Sequence, residues 1–250
     1  MQKLEKKDKT LTAGKPSADL SLPAGLYPVA IHIGNPDDIT IRALETLRKC
    51  DAVVCEERRD GIRFLKSIGV EKPLFFLNEH SKPDEIKQLL EDLLVMQDKA
   101  IALISDAGTP CFADPGAALV QLCHEYQVAV YPVPGASSLM AALMASGLDA
   151  KRWLYYGFLS AKTEERIAEL KQLKDMPRYD IVFLEAPYRL KSLLDDMIAI
   201  LGKRRKVRFF YKLTQANQSI FIGNLLELSN STALYPKGEF ILILEHESRY

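Results

Sequence analysis

The chain is short of the residues that build metal centres, disulfide frameworks and membrane spans. It has one tryptophan, four scattered histidines and four cysteines (Cys50, Cys55, Cys111 and Cys123) with no CxxC pair among them. That spacing argues against a structural zinc site, and no metal is expected. No apolar run approaches the ~18 residues of a membrane span. The stretch from Met1 to Lys15 is charged and lacks the apolar core of a secretory signal. Cysteines without an export signal point to a reducing cytoplasm as the expected location. Neither GxGxxG nor GxxxxGK[ST] occurs, which weakens dehydrogenase and kinase readings.

Net charge is also lacking, but only in the sum. Residues 21–150 hold 11 Lys/Arg against 18 Asp/Glu, a net −7, and residues 151–212 hold 15 against 8, a net +7. The asymmetry points to two domains. The positive half either meets a polyanion or presents solvated helix faces. Of the 250 residues, 48% are apolar and 26% charged, the balance of a globular chain with room for one large domain or two modest ones.

Residues 1–20 show no periodicity and read as a mobile tail. Strands are expected at Leu26–Ile33, Ala52–Cys55, Leu74–Leu77, Ala100–Ile104 and Val128–Tyr131. Helices are expected after Asp37 and Asp38 through about Lys49, from Gly61 to Ile68, from Asp84 to Met96, after Gly116, and from Leu139 to Ser146. Strands alternating with helices imply parallel pairing through right-handed crossovers. Beyond Lys151 the texture changes. Helices are expected at Thr163–Lys174 and Tyr188–Leu201, and strands at Trp153–Phe158, Asp180–Leu184, Val207–Leu213, Gln218–Ile222 and Glu239–Glu245, giving a mixed sheet. The expected division is a tail (1–20), a parallel-sheet α/β domain (21–148) and a mixed-sheet α/β domain (149–250).

Three loops after strands carry the unusual residues: His32–Pro36, Ser105–Gly116 and Pro132–Ser138. Glycine there lets the backbone approach a ligand and proline fixes the path. Loops at the carboxyl ends of strands are where open α/β sheets bind ligands.

The runs LYPVAIHIGNP (26–36), ALISDAGTPCFADPG (102–116) and VPGASSLMAALMASGL (133–148) resemble the tetrapyrrole-methylase superfamily. With YGFL (156–159), VFLEAPYRL (182–190) and KGEF (237–240), the chain is most similar to the bacterial small-subunit rRNA 2′-O-ribose cytidine methyltransferases. The resemblance spans roughly residues 26–245. It implies two α/β domains with S-adenosylmethionine in the cleft between them, a homodimer and no metal. It places the cofactor against Ser105, Asp106, Gly108, Pro110, Phe112, Gly135, Ser137 and Ser138, with Leu184, Leu213 and Gly238 closing over it. Ser137 and Ser138 also suit helix capping.

Three departures from the family pattern leave the donor loops intact and bear on the substrate. His32 stands where proline is usual, Glu57-Arg58-Arg59 where Asp-Thr-Arg is usual, and Tyr211-Lys212 where Arg-Glu is usual. The family's common helical carboxyl-terminal extension is missing as well. A ribose hydroxyl is a poor nucleophile that benefits from a general base. Glu185 and Glu56 are the candidates carried forward, with Glu57 also near a strand end. Glu185 also has the spacing for an ion pair with Arg189, four residues on. Arg59 and Arg189 are the candidate phosphate contacts. Methylation of a corrin-type small molecule or of a protein side chain is the alternative chemistry. A cofactor-binding homologue without activity is the alternative outside enzymes.

Overall fold

Short, mostly apolar runs build the first sheet: β1 (Gly25–Pro28), β2 (Ala52–Cys55), β3 (Leu74–Phe76) and β4 (Ala100–Leu103). They pair in parallel in the order β1-β4-β2-β3. In this computed structural model the described residues are 21–246, apart from positions 79, 96, 97, 113, 150, 175 and 177. The tail expected over 1–20 lies outside them.

β2 and β4 are buried at every position, so both faces need cover. The strand period of two sends Val53, Cys55 and Ala102 to one face, where they meet α1 (Ile41–Lys49) and α2 (Arg58–Ser67) through Leu47, Phe64 and Leu65. Ala52, Val54, Ile101 and Leu103 face the other way, onto α3 (Pro83–Leu90) and α4 (Gly116–Glu125) through Leu90, Leu119 and Cys123. α1 starts later than expected. Thr40 Oγ1 accepts the Ala43 N–H at 3.1 Å, and a separate 3-10 turn covers Pro36–Asp38. α3 ends at Leu90 in a π turn over Glu91–Val95 rather than running on as one helix.

The strand expected at Val128–Tyr131 does not form as a regular strand. The chain there touches β1 through two isolated parallel bridges, Leu26 to Val130 and Val29 to Val133. Pro28 carries no N–H, so the rung to Tyr131 O that would join the two bridges is missing. The bonds that form are Leu26 N to Ala129 O (2.9 Å), Tyr131 N to Leu26 O (2.8 Å), Val133 N to Pro28 O (2.8 Å) and Ala30 N to Val133 O (3.0 Å). They still lay the Pro132–Ser138 loop beside the loop after β1.

The second sheet contains β5 (Trp153–Gly157), β6 (Asp180–Glu185), β7 (Lys206–Tyr211), β8 (Ser219–Asn224) and β9 (Phe240–Leu244) in the order β5-β6-β9-β7-β8. β5 and β6 are parallel and the other pairs antiparallel, the mixed sheet that the sequence predicts. Ile181, Phe183, Phe209 and Leu242 face α6 (Thr163–Lys174), α7 (Leu190–Leu201) and α8 (Leu225–Asn230). α8 is absent from the sequence reading, although Asn224 and Glu227 form a capping box at its start. On the opposite face, Val182, Phe210, Ile241 and Ile243 pack against Leu139 and Ala142 of α5 (Ser138–Ser146). α5 thus joins the two sheets, with its first turn beside the cleft described below. No helix among the described residues is long and apolar enough to cross a membrane.

Phe209 is fully buried, its ring 4.8 Å from that of Tyr235 and 5.2 Å from that of Phe240. F209A is expected to lose about 3–5 kcal/mol of stability. In urea the midpoint should fall with the slope unchanged.

Candidate active site

The three glycine- and proline-bearing loops form one surface. Gly108 N–H donates to His32 O (3.2 Å), and Gly108 O accepts from Ile31 N–H (2.9 Å). Those two bonds tie the Ser105–Gly116 loop to the segment after β1. Thr109 Oγ1 donates to Ala136 O at 3.0 Å, adding the third loop. Gly108 sits at φ +75°, and a Cβ there would stand 2.8 Å from Ile33 Cγ2. Gly135 approaches Ala30 so closely that its Cβ would lie 3.0 Å from the alanine's. Both positions require glycine for a stated reason of space or torsion.

Facing this floor is the second domain. The narrow end of the cleft, about 130 Å³, is lined by Gly108, Thr109, Phe112, Ser137, Ser138, Tyr155 and Leu184 among others. The Phe112 and Tyr155 rings, one from each domain, meet edge to face at 6.0 Å. Burial raises the Tyr155 hydroxyl pKa. The wide end, about 390 Å³, shares Ser138 and Leu184 and continues along Ile33, Phe158, Glu185, Lys212, Leu213, Gln215 and Glu239. Of the predicted cofactor contacts, Gly108, Phe112, Ser137, Ser138, Leu184 and Leu213 line the cleft.

The other predicted contacts do not line it. Ser105 is buried, and its hydroxyl donates to Ala107 O at 3.1 Å. Asp106 Oδ1 accepts from Glu57 N–H at 3.4 Å, and burial raises its carboxyl pKa. Pro110 is buried, Gly135 packs on Ala30, and Gly238 lies beneath Tyr211 and Lys212. Ser137 has the capping role as well, its Oγ accepting the Met140 N–H at 3.5 Å. Tyr155, Phe158, Lys212, Gln215 and Glu239 were not among the predicted contacts. For Tyr155 and Phe158 the available signal is the aromatic run from Trp153 to Phe158.

Glu185 ends β6 at the rim of the wide end and is 4% exposed. Burial raises its carboxyl pKa. The Ala186 N–H, donating to Oε1 at 2.7 Å, and the Arg189 guanidinium, 3.1 Å from the same oxygen, pull it part of the way back. Oε2 is buried with no partner among the described residues. An unpaired buried carboxylate oxygen costs on the order of 1–3 kcal/mol, so its retention beside a cleft points to a ligand hydrogen. Arg189 also donates to Leu159 O (3.2 Å) and Ser160 O (2.6 Å), which directs its fork into the protein. The i,i+4 ion pair that the spacing predicts is present, and it sets the carboxylate's orientation.

Glu56 follows β2, partly buried, and Arg59 is exposed in the first turn of α2. Neither lines the cleft. Burial pushes the Cys111 thiol up to about 11, with Asp114 adding to the shift, so the loop's cysteine is not a thiolate nucleophile.

The His32 ring packs edge-on to Phe64, with centroids 5.8 Å apart, and its Nδ1 is buried without a partner among the described residues. Glu57 caps α2 by accepting the Arg59 N–H at 3.3 Å, and the Arg58 guanidinium lies over the Phe76 ring at 5.2 Å. Of the Tyr211-Lys212 pair, Lys212 lines the wide end of the cleft and Tyr211 is buried in the core.

The Tetrapyrrole (Corrin/Porphyrin) Methylases profile matches residues 25–229. Ribosomal RNA small subunit methyltransferase I of Haemophilus influenzae is 39% identical over 223 residues, covering 88% of this chain and 78% of that protein. The protein of the same name from Bacillus subtilis is 36% identical over 223 residues, covering 88% and 74%. Among solved structures, diphthine synthase superposes with a TM-score of 0.71 at 17% identity, covering 89% of this chain and 90% of that one. The methyltransferase CobJ gives 0.66 at 14% identity, covering 89% and 94%. These two show a shared fold, two α/β domains facing each other across a cleft. By its sequence profile and its relatives, the chain belongs to the tetrapyrrole methylase family.

Proposed function

We propose that this protein is an S-adenosylmethionine-dependent methyltransferase that methylates a ribose 2′-hydroxyl in small-subunit rRNA. The observation that carries the reading is the cleft itself. Its floor of close-approach loops ends at a buried carboxylate with one oxygen left without a partner. The relatives named above supply the substrate class.

The residues present fit the cofactor. A Cβ at Gly108 would fill the space over Ile33, and the narrow end offers an aromatic wall and a run of small polar residues. The two ends of the cleft together fall within the usual size range of a small-molecule site. S-adenosylmethionine supplies an already activated sulfonium methyl. The protein's work is therefore to orient the acceptor, exclude water and accept one proton. Glu185 Oε2 is the proton acceptor in this reading, and Arg189 holds the carboxylate through Oε1. Arg189 thus positions the base rather than meeting a phosphate. Arg59, exposed at the start of α2, keeps the phosphate role. The net +7 over residues 151–212 gives the polyanion a complementary surface.

Incubation with methyl-labelled S-adenosylmethionine and intact small subunits is expected to label rRNA at the 2′ position. Label confined to small molecules or protein would overturn the reading, as would cofactor binding without turnover. Binding of the subunit should weaken steeply between ~50 and ~200 mM salt. A flat response would remove the nucleic-acid partner.

R189M leaves the buried Glu185 carboxylate without its cation. The Glu185 pKa should then rise further, moving the acid limb of the pH–rate profile to higher pH. An acid limb at the wild-type position would show that Arg189 does not act on the base.

A further inference from the structure

Lys212 lines the wide end of the cleft, and its geometry is unusual. Lys212 holds φ +47° and Thr214 φ +65°, the left-handed region that costs non-glycine residues energy. The Lys212 N–H donates to Glu239 O at 2.9 Å. Its side chain runs over Gly238, where a Cβ would collide with Lys212 Cε. Nζ stands 5.3 Å from the centroid of the Tyr211 ring, and the Tyr211 hydroxyl is anchored by donating to Pro236 O at 3.1 Å. Across the cleft, the Asn35 N–H donates to Thr214 Oγ1 at 3.0 Å, which ties this strained loop to the first domain.

Among the described residues no carboxylate lies within ion-pair distance of Nζ. Among the described residues, Lys212 is the only cation lining the wide end. The acids there are Glu185, held by Arg189, and the exposed Glu239. A strained backbone, a glycine bed and an aromatic plate hold one ammonium group beside the proposed base, with its hydrogens available to an anion.

We propose that Lys212 is a substrate-positioning residue whose ammonium binds a backbone phosphate oxygen of the acceptor RNA, setting the ribose hydroxyl against Glu185. A point charge suits a phosphate, which presents several equivalent oxygens. The inference rests on the methyltransferase reading above.

The test uses the full chain with intact small subunits and compares wild type, K212M and K212R. For K212M the KM for subunits should rise about tenfold, with kcat within about threefold of wild type. The slope of log affinity against log salt should fall by about one, the signature of one lost phosphate contact. Affinity for S-adenosylmethionine should not change, and K212R should restore most of the KM. An unchanged KM and salt slope in K212M would overturn the proposal. So would lost cofactor affinity with subunit binding intact, since the ammonium would then serve the donor's carboxylate. Wild type failing to label rRNA would instead strike the underlying reading. Equal labelling rates for wild type and K212M at subunit concentrations well below KM would strike only this inference.

Discussion

Replacing Gly108 by valine is expected to abolish detectable binding of S-adenosylmethionine while the protein still folds. Gly108 sits at φ +75°, where a β-branched residue is a strong outlier, and a Cβ would stand 2.8 Å from Ile33 Cγ2. Ile33 lines the wide end of the cleft and Gly108 the narrow end, so relief of the clash must deform the floor at both. The bonds from Gly108 to His32 O and from Ile31 to Gly108 O would move with it. A fall in affinity of at least about 100-fold, close to 2.7 kcal/mol, is the expected calorimetric result. The strain should cost about 1–3 kcal/mol of stability, which a melting curve separates from unfolding. Unchanged affinity would place the cofactor elsewhere. G108A, with the same torsional problem and a smaller side chain, should fall between wild type and G108V.

E185Q is expected to lower kcat by about 10²–10³-fold with little effect on cofactor affinity. The amide keeps the shape and the bond from Ala186 N–H but cannot accept the hydroxyl proton. The sign of the pH dependence follows from burial. A general base works in its charged form, burial disfavours that form, and the Glu185 pKa is raised. The rate of the wild type should therefore climb with pH through a value above the usual glutamate range. In E185Q that acid limb should vanish and leave a low, flat rate. Loss of kcat with the limb intact would move the proton acceptor to another group and leave Glu185 a structural partner of Arg189.

Much of the frame is legible in one sequence because the two faces of β2, β4 and β6 carry alternating apolar residues, each set with its own helices to cover. The three loops stand out because glycine and proline cluster where only a few backbone paths are possible. What sequence reasoning misses depends on contacts distant along the chain. Val128–Tyr131 has the composition of a strand, yet Pro28 on the neighbouring strand has no N–H for the rung to Tyr131 O, and only two bridges form. Tyr155 and Phe158 read as sheet residues, and only the packing of α5 on the second sheet turns them toward the loops. Lys212 stands out as a change of residue type, but its strained backbone and its bed on Gly238 require β7 and β9 to be paired. Arg189 has the composition of a phosphate contact, and the carbonyls of Leu159 and Ser160 turn it inward.

The most direct measurement is a crystal structure of the protein grown with S-adenosylhomocysteine, the demethylated product of the donor. The adenosine should occupy the space bounded by Gly108, Phe112, Ser138 and Leu184, with the sulfur directed toward the wide end where Glu185 and Lys212 stand. Clear density for the ligand at any other place, with this cleft filled only by solvent, would contradict the assignment of the loops as the donor's floor.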